Sequence, residues 1–195
     1  MKKISLSLIA SALLASGVAY AQEAEPTDTT GYDVENWEVD APPFALNEVT
    51  IKTNETTWSS LDIAPNGKFM VFDMLGDLYK VDIDGGDAEP LTQDFAWNLH
   101  PSISPDGKQV AFISDKDGLS NVWVMNIDGT NLHQVTKEKK NLIHAPKWSP
   151  DGQYIVVTKG IMSSRSIPAG EIWMYHKSGG DGLQIKARNS GKRDQ

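Results

Sequence analysis

Three turns of one chemistry recur along the chain: Ala64-Pro65-Asn66-Gly67-Lys68, Ser104-Pro105-Asp106-Gly107-Lys108 and Ser149-Pro150-Asp151-Gly152-Gln153, at spacings of 40 and 45 residues. Pro presets the backbone angle at the second turn position, Asp or Asn accepts a local hydrogen bond at the third, and Gly supplies the positive φ that brings the chain back into a hairpin. Each turn is preceded by a short apolar strand and followed by a stronger one, Phe69 to Phe72, Val110 to Ile113 and Tyr154 to Val157. A third strand carries an aromatic at a matched position, in Leu78-Tyr79-Lys80-Val81, Val122-Trp123-Val124-Met125 and Ile172-Trp173-Met174-Tyr175. A Gly turn follows each, and a fourth strand closes the unit at Pro90-Leu91-Thr92, Gln134-Val135-Thr136 and, more weakly, Leu183-Gln184-Ile185.

Four short strands with turn signals every 8–12 residues describe an antiparallel meander, and a period of 40–45 residues with four strands is that of a propeller blade. The expectation is an all-β fold, a partial β-propeller of about three four-stranded antiparallel blades, at 57–93, 94–137 and 138–187. Leu46, Val49 and Ile51 with Thr50 and Thr53 predict a further strand within 44–56, ahead of the first blade. The third unit carries an insertion, Gly160 to Gly170, between its second and third strands, where an exposed loop is expected. Closed propellers use about 4–8 blades. Three blades ending in a basic tail, 188–195, therefore read as a truncated ring whose end blades each lack a neighbour. Marginal stability, with self-association or dependence on downstream blades, is expected to follow.

Met1-Lys2-Lys3, an apolar run from Ile4 to Val18 and the small residues Ala19 and Ala21 have the order of a secretory signal peptide cleaved after Ala21. The run is too short for a spanning helix, so the expectation is a periplasmic protein with no membrane span after cleavage. From Gln22 to Pro43 the chain carries seven acids, no Lys or Arg, and three prolines, which reads as a linker. The absence of cysteine excludes lipid attachment at the processing site and disulfide support. Loss of Lys2 and Lys3 with the leader takes the formal charge from −8 to −10, which repels phosphate backbones and argues against a nucleic-acid partner.

The run Ser104-Pro105-Asp106-Gly107-Lys108-Gln109-Val110-Ala111-Phe112-Ile113-Ser114-Asp115, with Asn121 to Gly129 and Gln134-Val135-Thr136, resembles a blade of the TolB-type propeller repeat. The resemblance covers about residues 57–186. The order of Val49-Thr50-Ile51, Trp58 to Asp62, Val71 to Asp77 and Gly170 to Tyr175 followed by Ser178 to Gly182 is similar to the start of large exported proteins in which a TolB-like propeller precedes an amidohydrolase domain. That similarity implies an N-terminal piece of a longer hydrolase. It carries no catalytic residue onto this chain, because such sites need a His-x-His pair with further His and Asp ligands. His100, His133, His144 and His176 are never within two residues of one another, and no Gly-x-Ser-x-Gly turn is present.

No catalytic, metal or cofactor site is therefore expected. Asp115-Lys116-Asp117-Gly118 looks like a partial calcium loop but lacks a third acid at the right step and a distal Glu, which favours a plain hairpin. Residues entering the first strand of each blade crowd the channel mouth of a propeller: Trp58, Ser59 and Ser60, then Trp97, Asn98 and His100, then His144 and Lys147. Trp58, Trp97, His100 and His144 form the candidate binding rim, for a protein or peptide partner, with blade-to-blade packing the competing role for Trp58 and Trp97. Trp123, Trp148 and Trp173 are expected in the core. The functional expectation is a non-catalytic binding segment, with two alternatives: a substrate-gating part of a hydrolase whose metal-dependent catalytic domain lies downstream, or an envelope-complex interaction protein.

Overall fold

The computed structural model describes residues 39, 41, 49–140, 142–161 and 169–186, with the backbone alone at 161 and 169. The leader, nearly all of the acidic linker, the centre of the insertion and the basic tail lie outside the described residues. Three sheets lie within one unit, Asp33–Gln195. The first runs β1 (Leu61–Ile63), β2 (Phe69–Met74), β3 (Asp77–Asp82) and β4 (Glu89–Pro90). The second runs β5 (Leu99–Ile103), β6 (Gln109–Ser114), β7 (Asn121–Asn126) and β8 (His133–Gln134). The third runs β9 (Leu142–Trp148), β10 (Tyr154–Ile161), β11 (Ala169–His176) and β12 (Leu183–Lys186). Each is an antiparallel meander in which every strand pairs with its sequence neighbour.

The repeated turns fold as their chemistry dictates. In the second blade Ser104 Oγ donates to Asp106 Oδ1 at 2.6 Å, Asp106 Oδ1 accepts the Lys108 N–H, and the Gly107 N–H closes on the Ser104 carbonyl. The third blade repeats this with Ser149, Asp151 and Gly152. Between β2 and β3 the chain reverses through Leu75 and Gly76, both at positive φ (54° and 90°), the twist a two-residue hairpin needs.

Side chains on β6 and β7 split by parity. Val110, Phe112 and Met125 join Val71, Leu78 and Ile103 in a core between blades 1 and 2. Ala111, Ile113, Val122 and Val124 join Ile143, Ile155, Val157 and Tyr175 in a core between blades 2 and 3. The middle blade is thus buried on both faces, and its strands are nearly continuous apolar runs. The end blades alternate instead, with one face in a core and the other toward solvent.

Both seams use one interlock. A Cβ at Gly129 would lie 3.0 Å from the Leu91 carbonyl oxygen, and one at Gly179 would lie 3.5 Å from that of Val135. At the Pro turns, a Cβ at Gly107 would meet Pro65 Cδ at 3.9 Å and one at Gly152 would meet Pro105 Cδ at 3.6 Å. Blades 2 and 3 therefore each present two glycines to the end of the fourth strand and the turn proline of the blade before them. Within blades, Thr92 Oγ1 accepts the Leu78 N–H and donates to Asp77 Oδ1, and Thr136 Oγ1 does the same for Val122 and Asn121.

Three expectations are corrected. Residues 49–53 form no strand, and Val49 and Ile51 are exposed: β-branched residues favour a strand only where an edge accepts them, and each sheet is completed by its own four strands. Leu46 lies outside the described residues. The insertion is partly strand, since Gly160 pairs with Gly170 and Ile161 with Ala169, lengthening the β10–β11 hairpin. A Cβ at Gly170 would fall 2.9 Å from Thr158 Cγ2, which explains the glycine. Trp123, Trp148 and Trp173 are half-buried at the margins of the two cores rather than inside them. A strand tryptophan is too large to be enclosed by one seam.

Candidate channel-mouth site

The innermost strands β1, β5 and β9 pack side by side, β5 against β1 and β9 against β5. Antiparallel order puts their N-terminal ends, with the β2–β3 and β6–β7 turns, at one end of the blades, and the Pro turns at the other. Two bulges shape that upper end. Leu99 faces Ile113 and Ser102 faces Ala111, so His100 and Pro101 together oppose Phe112. In blade 3, Ala145 and Pro146 likewise oppose Val157. His100 (φ 56°) and Ala145 (φ 50°) take the left-handed conformation, each followed by a buried proline that has no N–H to donate. Trp58 is left-handed as well, at φ 59°. Left-handed backbone at a bulky residue is strained and is kept where surrounding contacts enforce it.

At His100 those contacts are visible. Asp73, 3% exposed on β2, accepts the Ser60 N–H on Oδ1 at 2.8 Å and the His100 N–H on Oδ2 at 2.7 Å. Ser60 Oγ in turn lies 2.8 Å from His100 Nδ1. One buried carboxylate thereby joins the strand entries of blades 1 and 2 and fixes the imidazole. Lower in the channel, Asp62 Oδ2 accepts the Ile103 N–H at 2.8 Å and stands 4.0 Å from Lys147 Nζ, so three inner strands meet at one carboxylate. Trp148 Nε1 donates to the Ser102 carbonyl across the second seam.

The rim residues do not behave alike. Trp58 is fully exposed, so packing between blades does not hold it. Trp97 is 59% exposed, with its ring near Gly76 and its backbone N–H donated to Asp115 Oδ1 at 2.7 Å. His144 is exposed beside Gly160 of its own hairpin, and no hydrogen bond or ring contact among the described residues joins it to the Ser60–His100 pair. Asn98 is buried and structural, its amide donating to Asp94 Oδ1 and the Ala96 carbonyl. Leu75 and Phe95 add exposed apolar surface at this end.

Asp115 and Asp117 turn to different partners, Asp115 to the Trp97 N–H and Asp117 to Asn121 and Gln134. Among the described residues no three His, Asp or Glu side chains are gathered as metal ligands, and no helix is long and apolar enough to cross a membrane. Sequence reasoning missed Asp73 and Asp62. The available signal was an acid inside Phe69-Met70-Val71-Phe72-Asp73-Met74, at a position whose parity matches buried Val71.

Three interlocked four-stranded meanders around a shared inner edge define a β-propeller segment of TolB-like build. Comparison with known families agrees: residues 63–193 match the tricorn protease N-terminal β-propeller domain, and the chain belongs to that family. Among curated relatives, tricorn protease homolog 1 of Streptomyces coelicolor is 30% identical over 94 residues, 48% of this chain and 9% of that protein. Among solved structures, a protein of Agrobacterium tumefaciens assigned as TolB aligns with a TM-score of 0.59 and 24% identity, over 67% of this chain and 50% of that one. TolB of Acinetobacter baumannii aligns with a TM-score of 0.52 and 21% identity, over 65% of this chain and 31% of that one. The chain spans half or less of the length of these relatives.

Proposed function

We propose that this chain is a non-catalytic binding segment, exported to the periplasm with cleavage after Ala21, which receives a protein or peptide at the channel mouth. The observation that carries the reading is the upper rim. Fully exposed Trp58 and half-exposed Trp97 stand at the entries of blades 1 and 2, two residues before Ser60 and three before His100, and the ring and backbone of His100 are held by Ser60 and Asp73. Exposed indoles offer rigid apolar area at low entropic cost, and a fixed imidazole at the same end of the blades adds a directional polar contact. The segment order that resembles propeller–amidohydrolase proteins supports placing the segment at the head of a longer hydrolase. The match to the N-terminal propeller domain of a protease supports an enzyme-associated role more broadly.

Phage-displayed linear peptides selected on the exported protein test the binding role. Selected peptides should quench tryptophan fluorescence on titration, and Trp58→Ala and Trp97→Ala should each raise Kd by about tenfold, the scale of a buried aromatic anchor. Peptides that bind both variants as tightly as the parent would refute the rim. Amide or ester hydrolysis that survives repurification and disappears in His100→Ala would refute the non-catalytic reading.

A further inference from the structure

We propose that the upper end of blades 1 and 2 docks on the surface of an anionic lipid bilayer, with Leu75, Phe95 and Leu119 entering the interface and Lys137, Lys139 and Lys140 meeting the headgroups. The inference goes beyond peptide binding: its lipid contacts include none of the rim residues Trp58, Trp97, His100 and His144, and it is tested without a peptide. It starts from Leu75. The β2–β3 reversal needs positive φ at both turn positions, which Asn, Asp or Gly supply with least strain. Leu75 takes φ 54° there and is 71% exposed, so it is strained and returns no packing to the fold. An exposed aliphatic side chain kept at such a position is explained by what it meets outside the chain.

Leu75 does not stand alone. Its turn is stitched to the loops beside it: the Asn98 backbone N–H donates to the Gly76 carbonyl at 2.8 Å, and the Trp97 backbone N–H donates to Asp115 Oδ1 at 2.7 Å. Half-exposed Phe95 lies on the first of these loops, and exposed Leu119 lies on the second, between β6 and β7. The linker after β8 is tied to the same turn, since buried Asn121 accepts the Glu138 N–H on Oδ1 at 2.8 Å and donates to Asp117 Oδ2 at 2.9 Å. On that linker Lys137, Lys139 and Lys140 are exposed, and no carboxylate among the described residues pairs with them. Hydrogen bonds therefore hold three apolar side chains and three cations on one shoulder.

Charge and shape together select lipid. The acids of this shoulder are turned onto internal donors: Asp94 onto Asn98 and Lys116, Asp115 onto the Trp97 N–H, Asp117 onto Asn121 and Gln134, and Glu138 onto Lys159 and Tyr175. The three lysines stay exposed on a chain whose formal charge is −8. The turns at the other end of the blades carry exposed Asp84, Asp87, Asp106, Asp128, Asp151 and Asp181 against exposed Lys68 and Lys108. An anionic surface thus attracts one end and repels the other, which sets the orientation. Leu75, Phe95 and Leu119 sit on turns and bends, outside the clefts lined by Lys52 to Thr56 and by the Pro turns. A protein partner would have to supply a pocket for each of them, whereas a lipid interface accepts apolar side chains without one.

Flotation of the exported protein with phosphatidylcholine vesicles, with and without phosphatidylglycerol, tests the proposal. Binding is expected only with the anionic lipid and should weaken as salt rises. Leu75→Asn supplies the better turn residue, so it should leave the urea midpoint unchanged or raised and yet raise the vesicle Kd about tenfold. Combining Lys137→Gln, Lys139→Gln and Lys140→Gln should cost about fivefold for each lysine, on the order of a hundredfold in all. Lys68→Gln with Lys108→Gln, at the opposite end, should leave binding unchanged. Absence of binding to anionic vesicles would overturn the proposal, as would binding indifferent to Leu75→Asn or equally weakened by the opposite-end pair. Polyglutamate that binds through the three lysines where vesicles fail would assign the shoulder to an acidic protein partner and overturn the lipid reading.

Discussion

Replacing Asp73 by Ala should loosen the seam between blades 1 and 2 more than any other single change at the channel mouth. The carboxylate is 3% exposed and receives one backbone N–H from each blade, Ser60 at 2.8 Å and His100 at 2.7 Å. A hydrogen bond to a charged group contributes about 1.5–3 kcal/mol. Both donors are only partly buried and regain some water when the acceptor is removed, so the lower end applies twice, giving about 3 kcal/mol. Asp73→Asn keeps one acceptor oxygen and turns its amide toward the second donor, and should cost about 2 kcal/mol. Asp62→Ala loses one bond across the seam, to the Ile103 N–H, and a local, exposed one to the Ile63 N–H, from a side chain that water reaches, and should cost about 1 kcal/mol. Urea unfolding followed by tryptophan fluorescence resolves these differences: with a slope of about 2 kcal/mol per molar, Asp73→Ala moves the midpoint by about 1.5 M. A cost for Asp73→Ala equal to or below that of Asp62→Ala would refute the reasoning that this carboxylate holds the rim.

Gly182→Ala should destabilise by about 2 kcal/mol or more, because φ is 75° and a Cβ would overlap the Tyr175 ring; thermal unfolding reads the loss. Gly129→Ala, at φ 80° with the Leu91 carbonyl 3.0 Å away, should act at the first seam, and increased hydrogen exchange in blade 1 with blade 3 unchanged is its signature. Burial, then the nearby Glu138 carboxylate, to which the Tyr175 hydroxyl donates a hydrogen bond, raises the Tyr175 pKa well above the usual phenol range. The neutral phenol is thus favoured in the folded state. Its stabilisation is complete below the ordinary tyrosine pKa of about 10 and is lost as pH rises above it. Urea titrations across pH 9–11 should show a fall in stability that Tyr175→Phe lessens.

The repeats were legible because their chemistry is local. A Ser-Pro-Asp-Gly turn satisfies its own hydrogen bonds within five residues, and the aromatic of each third strand marks the register. The seams were less legible because they join residues tens of positions apart. Asp73 reads as a defect in an apolar strand until Ser60 and His100 are brought to it. The bulges had a signal in His100-Pro101 and Ala145-Pro146, since a proline inside a strand that pairs with its neighbour must sit where no N–H is needed. Val49 to Thr53 showed the limit of propensity, which proposes a strand without supplying its partner. Among the residues at the strand entries, Asn98 is a buried linchpin and Trp58 a free side chain, a difference set by neighbours and not by residue type.

The account rests on one end of the blades being the binding end, and hydrogen exchange on the protein with a selected peptide bound tests this most directly. Added protection should concentrate at residues 58–60 and 97–100, where Asp73 ties the rim together. The turns at 66–68, 106–108 and 151–153, at the opposite end, should exchange as in the free protein. Protection confined to those turns, or spread equally over both ends, would contradict the central claim.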